Sequence, residues 1–169
     1  MTTGTVYWLT GLSGAGKTTI GQLLYQKMRE RHPNVVFLDG DTLRQVFGDD
    51  LGYTLEDRRK SAMRNARLCK LLSDQGIDVV CCTISMFDSV RDWNRTHIPG
   101  YCEIYVKASM ETLRRRDQKG LYSQGENDVA GVHFAIEEPK APDLILCNDG
   151  EKTPEEQAQK IMEVVAAWN

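Results

Sequence analysis

No pair of cysteines in the sequence has the spacing of a metal clip or a redox motif. The five cysteines (Cys69, Cys81, Cys82, Cys102 and Cys147) are odd in number and never form C-x-x-C, and three lie inside apolar runs. This pattern argues against a disulfide framework and a zinc site, and for buried free thiols in a reducing compartment. The three histidines show no ligand spacing either. No leader-like segment is present and no apolar run exceeds strand length, so the chain reads as cytoplasmic, with no membrane partner. A basic excess is also missing. Lys and Arg number 21 against 24 Asp and Glu, a net charge of −3, which argues against a nucleic-acid surface. Any anionic substrate must then be met by locally clustered Arg and Lys. Internal repeats and linkers rich in proline, glycine or serine are absent. So is the N-K-x-D guanine signature, which leaves a GTPase switch without support.

What is present describes an ordinary globular domain. The chain has 169 residues, 41% hydrophobic and 27% charged, enough for a single domain with a real core. Strand-length apolar runs at Thr5–Thr10, Val35–Leu38, Ile77–Ile84, Glu103–Lys107 and Leu144–Cys147 alternate with helical patterns. The helices are expected at Thr18–Arg31, Thr54–Gln75, Ser89–His97, Met110–Arg116 and Pro154–Trp168. Such alternation predicts an α/β fold of three layers, a five-stranded parallel sheet with helices on both faces. Thr54 with Asp57 fits a capping pattern, and Gly76 ends that long helix. Thr153-Pro154-Glu155-Glu156 opens the last helix with a cap, a proline at its first position and acidic residues in its first turn. The apolar residues of that helix (Ile161, Met162, Val164, Val165, Trp168) read as core contacts. Gln118 to Pro142, with three glycines and two prolines, fits no element and reads as a mobile lid.

Between the first strand and the first helix stands Gly11-Leu12-Ser13-Gly14-Ala15-Gly16-Lys17-Thr18, a full match to G-x-x-x-x-G-K-[ST]. Glycines let the backbone wrap a phosphate, so that successive N–H groups point at it, and the helix N-terminus adds positive potential. Lys17 would neutralise the β- and γ-phosphates, and the Thr18 hydroxyl would ligand Mg²⁺. This stretch predicts nucleoside triphosphate binding through Gly11 to Thr18, extended by Thr19.

A second signal follows the second strand, in Leu38-Asp39-Gly40-Asp41-Thr42-Leu43-Arg44. Ligands of an open parallel sheet sit beyond the carboxyl ends of its strands, which puts this turn beside the phosphate loop. Phosphoryl transfer to a hydroxyl needs a carboxylate to orient the acceptor or take its proton. Asp39 and Asp41 are the candidates, with Asp41 ranked first, and either would also suit Mg²⁺. Taken alone, the same residues describe a D-G turn with a helix cap. The third strand runs into Thr83-Ile84-Ser85-Met86-Phe87. There Ser85 would bond a phosphate or a ribose hydroxyl, or cap the next helix, and Phe87 would face a base. Arg44, Arg58, Arg64, Arg91 and Arg95 recur near the expected site, as a polyanion would require. Arg114-Arg115-Arg116 precedes the lid and reads either as a solvated face or as charge that closes over the transferring group.

Together these motifs resemble the adenylylsulfate kinase family from about Val6 to Asn148. The matching pieces are Trp8 to Thr19, the Leu38–Arg44 turn, Gly52-Tyr53 with Glu56-Asp57-Arg58, Ile84-Ser85 with Phe87, and Asp117 with Lys119-Gly120-Leu121-Tyr122. The resemblance implies a cytoplasmic, usually dimeric kinase of the phosphate-loop fold. Such a kinase moves the γ-phosphoryl of MgATP to the ribose 3′-hydroxyl of adenosine 5′-phosphosulfate (APS). Carried over, Gly11 to Thr19 bind ATP, Thr18 and Asp41 hold the metal, and Asp41 acts at the acceptor hydroxyl. Ser85 falls at the family's phosphoserine position. Asp39, Arg44, Arg58, Phe87 and Leu121 would contact the second nucleotide, and Lys119 would act from the closing lid.

Several acceptor-side positions depart from the family. The I-S-P-F motif reads Ile84-Ser85-Met86-Phe87, followed by Asp88 in place of an arginine. Ser61 stands for an asparagine, Met63 for an arginine, Val129 for a stacking phenylalanine and Ile136 for a tyrosine, and the lid is shorter after Tyr122. APS leads as acceptor. Cytidine diphosphoramidate, the acceptor of a related branch found with capsule-polysaccharide genes, is the alternative, since a smaller base suits a reduced platform. A nucleotide-binding regulatory module without catalysis is the reading from another class.

Overall fold

The computed structural model describes residues 2–117, 120 and 135–168. In chain order the elements are β1 (Val6–Thr10), α1 (Lys17–Arg31), β2 (Val35–Asp39), α2 (Gly40–Val46), α3 (Leu55–Asp74), β3 (Asp78–Thr83), α4 (Asp88–His97), β4 (Tyr101–Lys107), α5 (Met110–Arg116), β5 (Leu144–Cys147) and α6 (Pro154–Ala166). The strands form one sheet in the order β2-β3-β1-β4-β5, with every neighbouring pair parallel.

Strand alternation sorts the core into two layers. On one face Tyr7 and Leu9 of β1, Val80 of β3 and Ile104 of β4 pack with Ile20 and Leu24 of α1 and Ala158 and Ile161 of α6. On the other, Val6, Trp8, Val79 and Cys81 pack with Ala62, Ala66 and Cys69 of α3 and Val90 of α4. Covered on both sides, β1 is buried at every position, and this is why it reads as a continuous apolar run. Each fully buried Leu or Ile contributes about 1.5–3 kcal/mol, so the α1–α6 layer anchors the phosphate-loop helix firmly.

The caps behave as their sequences require. Thr54 accepts from the Asp57 N–H, and Thr153 and Glu156 form a complete capping box ahead of α6. Gly76 takes the left-handed φ of +79° just past α3. Three expectations need correction. Asp39-Gly40-Asp41 makes no turn, because the chain passes from β2 directly into the short helix α2. Trp168 lies past the end of α6 and is 47% exposed, so it is not a core contact. Cys147 is exposed, unlike the other four cysteines, because β5 is the sheet's edge strand.

Register brings Thr10 beside Thr83 and Asp39 beside Cys82. The carboxyl ends of β1, β2 and β3 therefore open onto one edge. Among the described residues no helix is long and apolar enough to cross a membrane.

Candidate functional site

Beyond Thr10 the chain coils through residues 11–16 and enters α1 at Lys17. Gly16 caps the helix at φ +104° with no side-chain cap hydrogen bond, and the amino end of α1, from Gly16 to Thr19, lines the cleft with its positive potential. Leu12 and Ala15, expected at the nucleotide, turn their side chains into the core and do not line the cleft. Thr18 and Thr19 are exposed in the cleft. Lys17 is only 8% exposed, and its Nζ donates to the Leu12 carbonyl at 2.8 Å. Two contacts hold the loop from outside. Asn148 Nδ2 donates to the Ala15 carbonyl at 2.8 Å, and Arg116 Nη1 donates to the Gly14 carbonyl at 3.2 Å. Arg116 also donates to the Asn148 carbonyl at 2.6 Å. Sequence reasoning missed Asn148, and Arg116 turns out to brace the loop rather than lie on a solvated face.

The loop's cleft is closed on its far side by Asp39, Gly40 and Asp41 and by Thr83 and Ile84. Asp39 ends β2, while Asp41 sits in the first turn of α2. A second cavity begins where the first ends, and both are lined by Gly40, Asp41, Thr83 and Ile84. Its walls are Arg44 of α2, the stripe Arg58, Ser61, Ala62 and Asn65 of α3, Ser85 to Phe87, and Ala135 and Ile136. Positions i, i+3, i+4 and i+7 share one helix face, which explains that stripe. Asp41 thus stands at the junction of two cavities, and Asp39 lines only the phosphate-loop side.

The mouth of the second cavity is cationic. Arg44 lies 4.4 Å and Arg58 5.4 Å from the centre of the Tyr53 ring. Arg44 also donates to the Leu51 and Gly52 carbonyls, and Arg58 Nε to the Tyr53 carbonyl at 2.9 Å. Phe87 is largely buried at the start of α4, with the Arg59 guanidinium 5.3 Å from its ring centre. Arg59 and Asn65 had no signal in the motif pattern, although both fall on the helix that carries Arg58. Ser85 is 6% exposed, holds φ +35° and shares a 2.7 Å hydroxyl hydrogen bond with Thr83. It does not cap α4, whose cap position is Phe87.

A kinase family model described as adenylylsulphate kinase matches residues 3–147. The chain belongs to the adenylylsulphate kinase family. It is 41% identical over 165 residues to the cytidine diphosphoramidate kinase of Campylobacter jejuni, an alignment spanning 95% of this chain and 96% of that one. It is 42% identical over 164 residues to the adenylyl-sulfate kinase of Halothermothrix orenii, across 95% and 88% of the two chains. Among solved structures, the APS kinase of Mycobacterium tuberculosis in complex with AMPPNP and APS superimposes with a TM-score of 0.89 at 30% identity, over 98% of this chain and 99% of that one. An ATP-dependent kinase of the phosphate-loop fold is the coarse identity that these likenesses establish.

In this member of the adenylylsulphate kinase family the segment 135–142 is fastened beside the second cavity. Glu137 N–H donates to the Met86 carbonyl at 3.3 Å, and the buried Arg91 donates to the Glu137 carbonyl and to Asp88. Lys140 Nζ lies 2.9 Å from Asp88 Oδ2. The Lys140 ammonium, followed by the Arg91 guanidinium, pulls the Asp88 carboxyl down to about 2 from its ordinary 3.8. Asp88 therefore holds the returning chain. Lys119, Leu121 and Val129 lie outside the described residues, as does most of the expected lid.

Not every arginine marked in the sequence is at the site. Arg64 makes a two-point pair with Asp50 at 2.9 Å. Arg95 pairs with Asp143 at 3.1 Å and approaches Glu103 at 3.6 Å, near the amino end of β4, so the expectation for Arg95 is corrected. Its helix begins at the site but runs away from it. Cys82 is buried with its thiol donating to the Lys17 carbonyl at 3.2 Å, and burial pushes its ionisation well up. Such a thiol is a structural contact of the kind that buried cysteines make.

Proposed function

We propose that the chain transfers the γ-phosphoryl of MgATP to the ribose 3′-hydroxyl of a nucleotide. The observation that carries this is the position of Asp41, the one carboxylate among the described residues that lines both cavities. A carboxylate there would accept the proton of a hydroxyl reaching in from the second cavity, as that oxygen attacks a phosphorus held over the phosphate loop. Backbone N–H groups of residues 13–18 would cradle the β- and γ-phosphates, and the Lys17 ammonium would take up the charge they carry. Thr18 and Asp41 supply hard oxygen donors that suit Mg²⁺, with phosphate and water completing its shell. Bound there, the metal would screen the phosphate charge. Arg44 and Arg58 would meet the acceptor's 5′-phosphate group.

APS is the acceptor that the family suggests. A second reading, cytidine diphosphoramidate, is favoured by the second cavity's wall, which holds Met86, Ser61 and Ile136, positions at which the sequence departs from the pattern expected of APS kinases. The full-length likeness to the Campylobacter jejuni enzyme supports it too. The whole chain, residues 1–169, reads as one domain, with Lys119 and Leu121 in a lid over the acceptor, working as a cytoplasmic homodimer. The test is ADP release with MgATP and each acceptor side by side. Turnover with either supports the reaction, and their ratio chooses between the readings. Absence of ADP above background with both would leave a regulatory module as the better account.

A further inference from the structure

Asn65 is the residue of the second cavity that the proposed chemistry leaves unused. It is 2% exposed, lines the cavity from α3, and its Oδ1 has no hydrogen-bond partner among the described residues. Buried amide oxygens are nearly always paired, because an unpaired one keeps the full desolvation penalty. Two other polar groups of the cavity have partners within the fold: Ser85 bonds Thr83, and Arg44 bonds two backbone carbonyls. Part of the same cavity's wall is apolar, made by Ala62, Met86 and Phe87, each nearly closed to solvent. An unpaired amide oxygen on the wall of a partly apolar cavity is the kind of convergent polar group that orients a ligand there.

The geometry points to Asn65 as the residue that reads the base of the acceptor nucleotide, its Oδ1 accepting a hydrogen bond from an exocyclic amino group. This rests on the proposed reaction, which puts the acceptor's ribose at Asp41, another lining residue of the same cavity. A 4-aminopyrimidine or a 6-aminopurine supplies that donor. A 4-oxopyrimidine or a 6-oxopurine instead sets a carbonyl lone pair against Oδ1, leaving two acceptors face to face. A site built around one hydrogen bond rejects the ligand that lacks the matching group, because its own polar atom is then left unpaired. Selectivity is thus for amino over oxo bases, whichever ring size the cavity admits.

The test compares the parent protein with Asn65→Leu, an apolar change of similar volume, on the acceptor that the parent phosphorylates and on the same nucleotide with oxygen in place of the base amino group. The parent is expected to favour the amino compound in kcat/KM by at least about tenfold. In Asn65→Leu the KM for the amino acceptor rises, the KM for ATP stays, and the amino-to-oxo ratio falls to near one. Asn65→Ala reads the same ratio should the leucine variant not fold. An unchanged ratio in a folded variant would overturn the assignment and mean that a buried water satisfies Oδ1. Failure of the parent to phosphorylate either compound would instead overturn the proposed reaction, and the base-reading role with it.

Discussion

Asn148 stands so close to Gly16 that a Cβ on the glycine would lie 2.3 Å from the Asn148 side-chain nitrogen. That nitrogen also fixes the Ala15 carbonyl, so the asparagine cannot withdraw without releasing the loop it braces. Gly16 further needs its φ of +104°, which a residue with a Cβ rarely adopts. Gly16→Ala is therefore expected to lose ATP binding by at least about tenfold and to lower the melting temperature by a few degrees. Calorimetric titration with a non-hydrolysable ATP analogue checks this, and parent-like affinity would show that the loop tolerates the shift.

Asp41→Asn keeps the side-chain volume at the junction of the two cavities and removes the base. Turnover should fall at least about tenfold, with ATP affinity nearly unchanged. The measurement is kcat for ADP release beside an independent ATP titration. Normal turnover would move the role to another group, with Asp39 the nearest alternative.

Asp88 gives a pH prediction with a definite sign. Its carboxyl is held at about 2 by Lys140 and then Arg91, against an ordinary 3.8. A depressed carboxyl contributes stability that is complete above its ordinary value and lost as pH falls through the folded one. Between about pH 4 and about pH 2 the parent should therefore lose more stability than Asp88→Asn. Urea midpoints across that range measure the difference. Because Lys140 is 81% exposed, added salt should shrink it.

The sequence was most legible where independent patterns agree. At β1–loop–α1, apolar run, glycine spacing and helical periodicity all describe one unit, and the structure reproduces it with Lys17 as the first helical residue. At α2 they conflict. Asp-Gly-Asp has the composition of a turn, yet Leu43 buries itself and carries the segment into a short helix. Tertiary burial decided what local propensity could not. Arginine placement failed for a different reason. Arg91 and Arg95 sit one turn apart on α4, and that single turn, about 6 Å of rise, takes the second away from the cavity and towards the start of β4. Asn65 stayed unread because a polar residue in a charged helix looks solvated until the sheet shows which face it occupies.

The exposed position of Cys147 has a practical side. Cys69, Cys81, Cys82 and Cys102 are closed to solvent, and burial raises the thiols of Cys82 and Cys102 away from the reactive thiolate. Cys147 directly precedes Asn148, the brace of the phosphate loop. A maleimide dye added to the native protein should attach once per chain, as intact mass would show. The unmodified sequence thus offers a single fluorescent reporter beside the loop, without any engineered cysteine.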